Sequence, residues 1–310
     1  MTRRATDPTR SVAATRRGGP TRQLDFLPWL VPLVVIVAGF YLYPAVEVVR
    51  FAFTDASLLA DDYRYTTDSF RDVLSSAALP GVLRVTLIIV LSGVLFQIAT
   101  GLGIALSVNR GAKRGLIGTQ LVRTVVIASW VVPAVATGIV FRIILNEASY
   151  GLVTSVLGSL GFHGVSMLSD PQNATASVVV ANVWSGTAFS MILLYAGLQS
   201  IPQELYEAAD IDGATSLQGF VHITLPQLRP VLLTNLILIT IGTFNAFALV
   251  LALTGGGPGR ATEVLALYTY NTVFWNFDLA AGSVLAVLMM TVSLVFTVFY
   301  VQLLPKERWT

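Results

Sequence analysis

Four carboxylates, Glu204, Glu207, Asp210 and Asp212, fall in one short stretch, interleaved with Ala208, Ala209, Gly213 and Ala214. A surface so bare of side chains lets another protein's backbone or an aromatic ring approach closely, so these residues suit docking rather than covalent chemistry. A second group is polar but uncharged. Asn182, Trp184, Ser185, Gly186, Thr187 and Phe189 precede that stretch, and Thr240, Thr243, Phe244, Asn245 and Phe247 follow it, all within apolar runs. Amides and hydroxyls pair with solute hydroxyls, and aromatic faces stack on sugar C–H faces. The same small and polar residues also hold helices together in a membrane, so solute path and interhelical packing both stand open for each.

What is missing is as informative. The chain has no cysteine, which excludes a disulfide framework, a thiolate metal site and a cysteine nucleophile. A Walker motif needs a lysine, and the two lysines, Lys113 and Lys306, lie in no such context. If ATP is used, another chain hydrolyses it. The run Gly255-Gly256-Gly257-Pro258-Gly259 reads as a tight irregular loop.

Composition fixes the setting in which these residues work. The 310 residues are 55% hydrophobic and only 12% charged, about half the usual soluble share. Mean hydropathy is +0.73. A soluble fold would lack the polar surface to cover itself, so the excess faces lipid. Spanning a bilayer takes about 20 mostly apolar residues. Six uncharged runs qualify: Phe26 to Val46, Val85 to Asn109, Thr124 to Phe141, Pro171 to Gln203, Pro230 to Gly259 and Leu279 to Pro305. The third is bracketed by Arg123 and Arg142 as interfacial anchors, and the fourth and fifth helices are placed at 176–199 and 230–253. No Asp, Glu, Lys, Arg or His interrupts any of them, which argues against proton-coupled transport and against an intramembrane hydrolase.

Basic residues set the orientation. Arg3, Arg4, Arg10, Arg16, Arg17 and Arg22 precede the first run, Arg110, Lys113 and Arg114 follow the second, and Lys306 and Arg308 close the chain. On the other side, Arg50, Arg64 and Arg71 are outnumbered by five aspartates between Asp55 and Asp72. Both termini are expected in the cytoplasm. Residues 1–24 read as a disordered basic tail, residues 25–305 as the six-helix domain, and 306–310 as a second short tail. The first run is too long for a signal-peptide core and ends in Tyr-Leu-Tyr-Pro, so cleavage is not expected. His163 and His222 fall on opposite sides of the membrane and cannot share a metal.

Residues 200–226 therefore form a cytoplasmic loop that is acidic where its surroundings are basic. Ser200-Ile201-Pro202-Gln203 reads as a capping box opening a short helix that Gly213 ends. A second short helix starts near Ser216 and is expected to break at Pro226. The acidity argues against a DNA-reading helix-turn-helix and against any nucleic-acid partner.

The order Glu207-Ala208-Ala209-x-x-Asp212-Gly213-Ala214, followed by Phe220, Ile223, Leu225 and Pro226, resembles the EAA loop of permease subunits in binding-protein-dependent ABC importers. Leu253-Thr254-Gly255-Gly256-Gly257-Pro258, with Thr262, Tyr268, Tyr270 and Phe274, is similar to the segment after span five in the maltose-type members of that family. Tyr43-Pro44 and Ser169-Asp170-Pro171 fit as well, and the likeness runs from span one onward. The chain departs from the maltose archetype in having only a short loop after span one, as the simpler sugar and glycerol-phosphate relatives do.

The resemblance implies an all-α type I ABC importer permease with six transmembrane helices in a bacterial plasma membrane. It implies a homologous second permease, two copies of a cytoplasmic ABC ATPase, an extracytoplasmic solute-binding protein, and ATP and Mg held by the ATPase, with no cofactor in this chain. Loop 200–226 would be the coupling helix seated on that ATPase. The solute would be a carbohydrate: a sugar, oligosaccharide, polyol or glycerol-phosphate-like molecule. Its contacts would fall near Asn182, Ser185, Gly186, Phe189, Thr243 and Ala246, where Ala246 replaces the archetype's amide. The chain would be no enzyme. The alternative is an ATP-independent secondary transporter or channel for a neutral polar solute.

Overall fold

The computed structural model describes residues 27–303 except Ser149 and His163. The basic tail at 1–24, the closing tail at 306–310 and His163 lie outside the described residues. Among those described there is no β-strand, only isolated bridges such as Thr54 to Tyr65 and Ser57 to Asp278.

The helices in chain order are α1 (Leu27–Val37), α2 (Tyr43–Ala52), α3 (Asp68–Ser75), α4 (Leu79–Lys113), α5 (Gly118–Val131), α6 (Ala134–Ile144), α7 (Leu152–Ser159), α8 (Pro171–Gln199), α9 (Gln203–Ile211), α10 (Ser216–Gly219), α11 (Leu225–Phe244), α12 (Phe247–Leu253), α13 (Leu265–Phe274) and α14 (Leu279–Leu303). A π-turn, Ala38–Leu42, joins α1 to α2, and another, Phe220–Thr224, joins α10 to α11. The described residues divide into two compact units, with the boundary between Glu47 and Val48.

Five helical stretches are long and apolar enough to cross a membrane: 29–52, α4, α8, 216–244 and α14. A further apolar stretch is a bent pair. The run expected as one straight span between Arg123 and Arg142 is instead α5 and α6, turned by 104° at Val132-Pro133. Pro133 cannot donate to the preceding turn, and Val132 is extended with ψ 123°, so the helix stops and restarts. α6 then lies on α12. Gly138 makes that possible: a Cβ there would stand 2.7 Å from Ala252 Cβ and 2.8 Å from the Leu249 carbonyl oxygen.

Span five also departs from the expected 230–253. Its helix runs from Ser216 to Phe244, because the π-turn Phe220–Thr224 carries it through Pro226 and Pro230 sits inside it. It ends early at Ala246, which leaves the helical region (ψ 50°) and whose amide donates to the Thr243 carbonyl (3.1 Å). The Asn245 side-chain amide adds a bond to the Ile241 carbonyl (2.8 Å) beside the helical one from the Asn245 backbone amide (3.1 Å). Span four starts at Pro171 rather than 176. Asp170 caps it, accepting from the amides of Gln172 (3.0 Å) and Asn173 (2.9 Å).

α4 and α8 pack along much of their length, with α5 and α11 against them. A Cβ at Gly101 would meet Ser190 Cβ at 2.6 Å, so the two backbones approach as small residues allow in membranes. Three buried apolar clusters follow: one around Val90, Phe244 and Leu285, one around Ile89, Val178 and Leu249, and one around Val108, Leu194 and Leu228.

Candidate functional site

α8 and α11 each carry polar positions on the faces they turn toward α4. A cavity of about 490 Å³ opens there. From α8 come Asn182, Ser185, Gly186 and Phe189, from α11 Gly242 and Thr243, and from the break after α11 Asn245 and Ala246. Trp130 of α5 faces Phe189, ring centroids 6.2 Å apart. No charged side chain lines it among the described residues.

The polar wall is organised by a residue that sequence reasoning missed. Gln97 of α4 is 2% exposed. Its Nε2 donates to Asn182 Oδ1 (2.7 Å) and to Thr243 Oγ1 (3.1 Å), and Thr243 Oγ1 donates to Asn182 Oδ1 (3.3 Å). An amide buried without partners costs about 1–3 kcal/mol, and this ring avoids that cost for three helices at once. The available signal was a lone amide in an apolar run, since polar residues at membrane depth face other helices. Gly186 serves this ring directly: a Cβ on it would collide with the Gln97 carboxamide.

Two expected path residues lie elsewhere. Trp184 packs edge-on against Phe141 (5.7 Å) and lines a neighbouring hollow with Thr100 and Thr187. Phe244 is buried in the core at 90° to Phe296. Asn182, Ser185, Gly186, Phe189, Thr243 and Asn245 do share the cavity.

At one end of α8 the chain enters loop 200–226. The expected capping box at Ser200–Gln203 is not formed: Ser200 Oγ donates to the Gly197 carbonyl (2.8 Å), Gln203 Nε2 donates to Glu207 (3.3 Å), and Pro202 precedes α9 without a side-chain cap. The box lies later, between Thr215 and Gln218. Proline supplies no hydroxyl for the first position, whereas Thr215 does. Gly213 does end α9, with φ +75°. The Gly213 amide donates to the Asp210 carbonyl (3.1 Å) and the Ala214 amide to that of Ala209 (2.9 Å), the pair of bonds of a Schellman turn. Asp212 stands at the C-cap.

Beneath the loop is a pocket of about 330 Å³ lined by Glu207, Ala209, Ala214 and Phe220 together with Arg110 and Lys113 of α4. Lys113 Nζ sits 5.1 Å over the Tyr206 ring, and Tyr206 hydrogen-bonds Thr224 (2.8 Å). Ile223 packs into the cluster around Leu194, while Ala208, Leu225 and Pro226 are exposed. Ile211 and Leu217 are 87% and 71% exposed, an apolar pair on a surface of small residues. His222 meets the Gln218 carbonyl (3.0 Å).

Residues 97–309 match the family described as the binding-protein-dependent transport system inner membrane component. The chain belongs to this family. The permease is 41% identical to the trehalose/maltose transport system permease protein MalF of Thermococcus litoralis over 65% of its own length and 66% of that protein. It is 32% identical to the sulfoquinovosyl glycerol transport system permease protein SmoG of Agrobacterium fabrum, covering 90% of this chain and 89% of the other. Its fold matches a chain in the crystal structure of a bacterial ABC transporter involved in the import of the acidic polysaccharide alginate, with TM-score 0.80, 22% identity, and 93% and 97% of the two chains covered. The permease is thus a multi-pass membrane protein of the ABC importer type, and the resemblance stated on residues 207–226 and 253–274 holds at the level of family and fold.

Proposed function

We propose that this permease carries a neutral carbohydrate or polyol across the plasma membrane as one half of an ABC importer. A homologous second permease would complete the pore, two ATPase copies would drive it, and a solute-binding protein would deliver the solute from outside. Both termini and loop 200–226 would face the cytoplasm, as the arginine distribution requires.

One observation carries the reading: an uncharged cavity lined by amides and aromatic rings lies on the two helices that lead directly into loop 200–226. Ser200, Ile201 and Pro202 alone separate α8 from α9, and α10 runs unbroken through the π-turn into α11. A load on Glu207–Ala214 would therefore reach Asn182 across the three-residue link to α8 and Thr243 through the continuous run from α10 into α11. The exposed, nearly bare surface around Ala208, with Ile211 and Leu217 at its rim, suits a cleft in the ATPase. Among the carbohydrates that relatives carry, the lining favours neutral ones, because it offers no cation to an anionic solute. The chain itself performs no covalent step; it alternates between states whose populations ATP shifts through its partner.

The test is uptake of radiolabelled trehalose and maltose into vesicles holding the whole transporter, with and without internal ATP. Uptake that requires ATP is expected. Uptake that continues after ATP removal would sustain the ATP-independent alternative instead.

A further inference from the structure

Three helices meet at Gln97, and the hydrogen bonds there leave a chemical remainder. The Nε2 of Gln97 has two hydrogens and spends both, one on Asn182 and one on Thr243. Asn182 Oδ1 accepts twice, from Gln97 and from Thr243 Oγ1, so both its lone pairs are used. Asn182 keeps only its Nδ2, with two N–H donors, for whatever enters the cavity it lines. The arrangement is tight. A Cβ on Gly93 would stand 3.0 Å from Asn182 Oδ1 and 3.2 Å from Thr243 Cγ2, and one on Gly186 would strike the Gln97 carboxamide. Two glycines thus leave the room the ring occupies.

We propose that Gln97 is a positioning residue of the solute path: it fixes the Asn182 amide so that span four presents N–H donors, a match for the hydroxyl and ether oxygens of a carbohydrate. The proposal rests on the reading of this cavity as the path. A residue that only joined helices would have no reason to line the cavity, whereas Gln97 both lines it and, with Thr243, exhausts the acceptor face of its neighbour. Gln97→Glu replaces the donor by a second acceptor, so Asn182 must turn its N–H groups inward and show its carbonyl to the solute. Gln97→Met removes the shorter of the two bonds that hold Asn182, leaving only that from Thr243.

The assembled transporter, reconstituted with its binding protein, reports this as trehalose or maltose carried per ATP hydrolysed. A purely structural defect lowers the amount of working complex, so uptake and hydrolysis fall together and the ratio stays put. The expected result is a ratio lowered about fivefold or more in Gln97→Met and Gln97→Glu, the loss of roughly one oriented hydrogen bond. The Gln97→Met/Thr243→Val pair is expected to do no worse than the lower of its single changes, since both cut one ring. An unchanged ratio would overturn the proposal. If the unsubstituted transporter takes up neither sugar, the neutral-sugar reading fails by itself, and a second readout decides on Gln97. In this cysteine-free chain, a Ser185→Cys reporter in the cavity wall is expected to react several-fold faster with a water-soluble maleimide when Gln97 is Met. Equal rates would overturn the proposal.

Discussion

Glu147 shows how one carboxylate holds an extramembrane corner together. It accepts from Ser169 Oγ (2.7 Å) and from the amides of Leu168 (2.8 Å) and Ser169 (2.7 Å). The Ser169 hydroxyl, then the Leu168 amide, holds its pKa below the ordinary glutamate value against an opposing effect of burial. A depressed folded pKa stabilises at pH above the unfolded value, about 4.3, and that contribution is lost as pH falls through the lower folded value. Protection of the Leu168 and Ser169 amides from hydrogen exchange, relative to an unstructured peptide at the same pH, should therefore be high near neutrality and fall in acid. In Glu147→Gln that protection should be lower and should not change across that pH window. Glycines make a second residue-scale contrast within one cavity. Gly186→Ala drives a methyl into the Gln97 carboxamide and should cost about 1–3 kcal/mol, as overpacking does. Gly242→Ala meets nothing within 4 Å and should leave stability equal or raise it by a few tenths of a kcal/mol through helix propensity. Denaturation in detergent, compared between the two variants, checks the difference.

At the scale of elements, the breaks matter more than the spans. Apolar runs located α4, α8 and α14 because twenty uncharged residues have few alternatives to a membrane helix. The same reasoning missed three events that depend on local hydrogen bonding. Pro133 turns the third run by 104°, the π-turn at Phe220–Thr224 lets the fifth helix pass Pro226, and the tight turn at Ala246, whose amide bonds the Thr243 carbonyl, stops it. Hydropathy averages over windows and is blind to which carbonyl is taken. The consequence is that α6 and α12, each too short to span alone, depend on one another. Gly138→Ala should force them apart, since its methyl would press on the Ala252 side chain and the Leu249 carbonyl. A loss of about 1–3 kcal/mol is expected, read as a lower midpoint of thermal unfolding. An unshifted midpoint would mean that the α6–α12 contact adds little to stability.

For the molecule as a whole, loop 200–226 was the most legible part, because a pattern of twenty residues with an acidic exception in a basic setting is visible without structure. Its internal geometry was half legible: Gly213 announced the end of α9, while the capping box belonged to Thr215 rather than Ser200. The cavity was legible in its residue types on spans four and five but not in its organisation, because Gln97 sits 85 positions before Asn182 and nothing local links them. The central claim is that the loop and the cavity move as one machine. The most direct test places a single cysteine at Ala246 in the cavity of this cysteine-free chain. Its reaction with a membrane-impermeant maleimide is then followed in the full transporter with and without ATP. ATP should change the labelling rate several-fold, and Gly213→Val, which forces a β-branched residue into positive φ at a cost of about 1–3 kcal/mol, should abolish that response. A labelling rate indifferent to ATP, or an ATP response undiminished by Gly213→Val, would contradict the account.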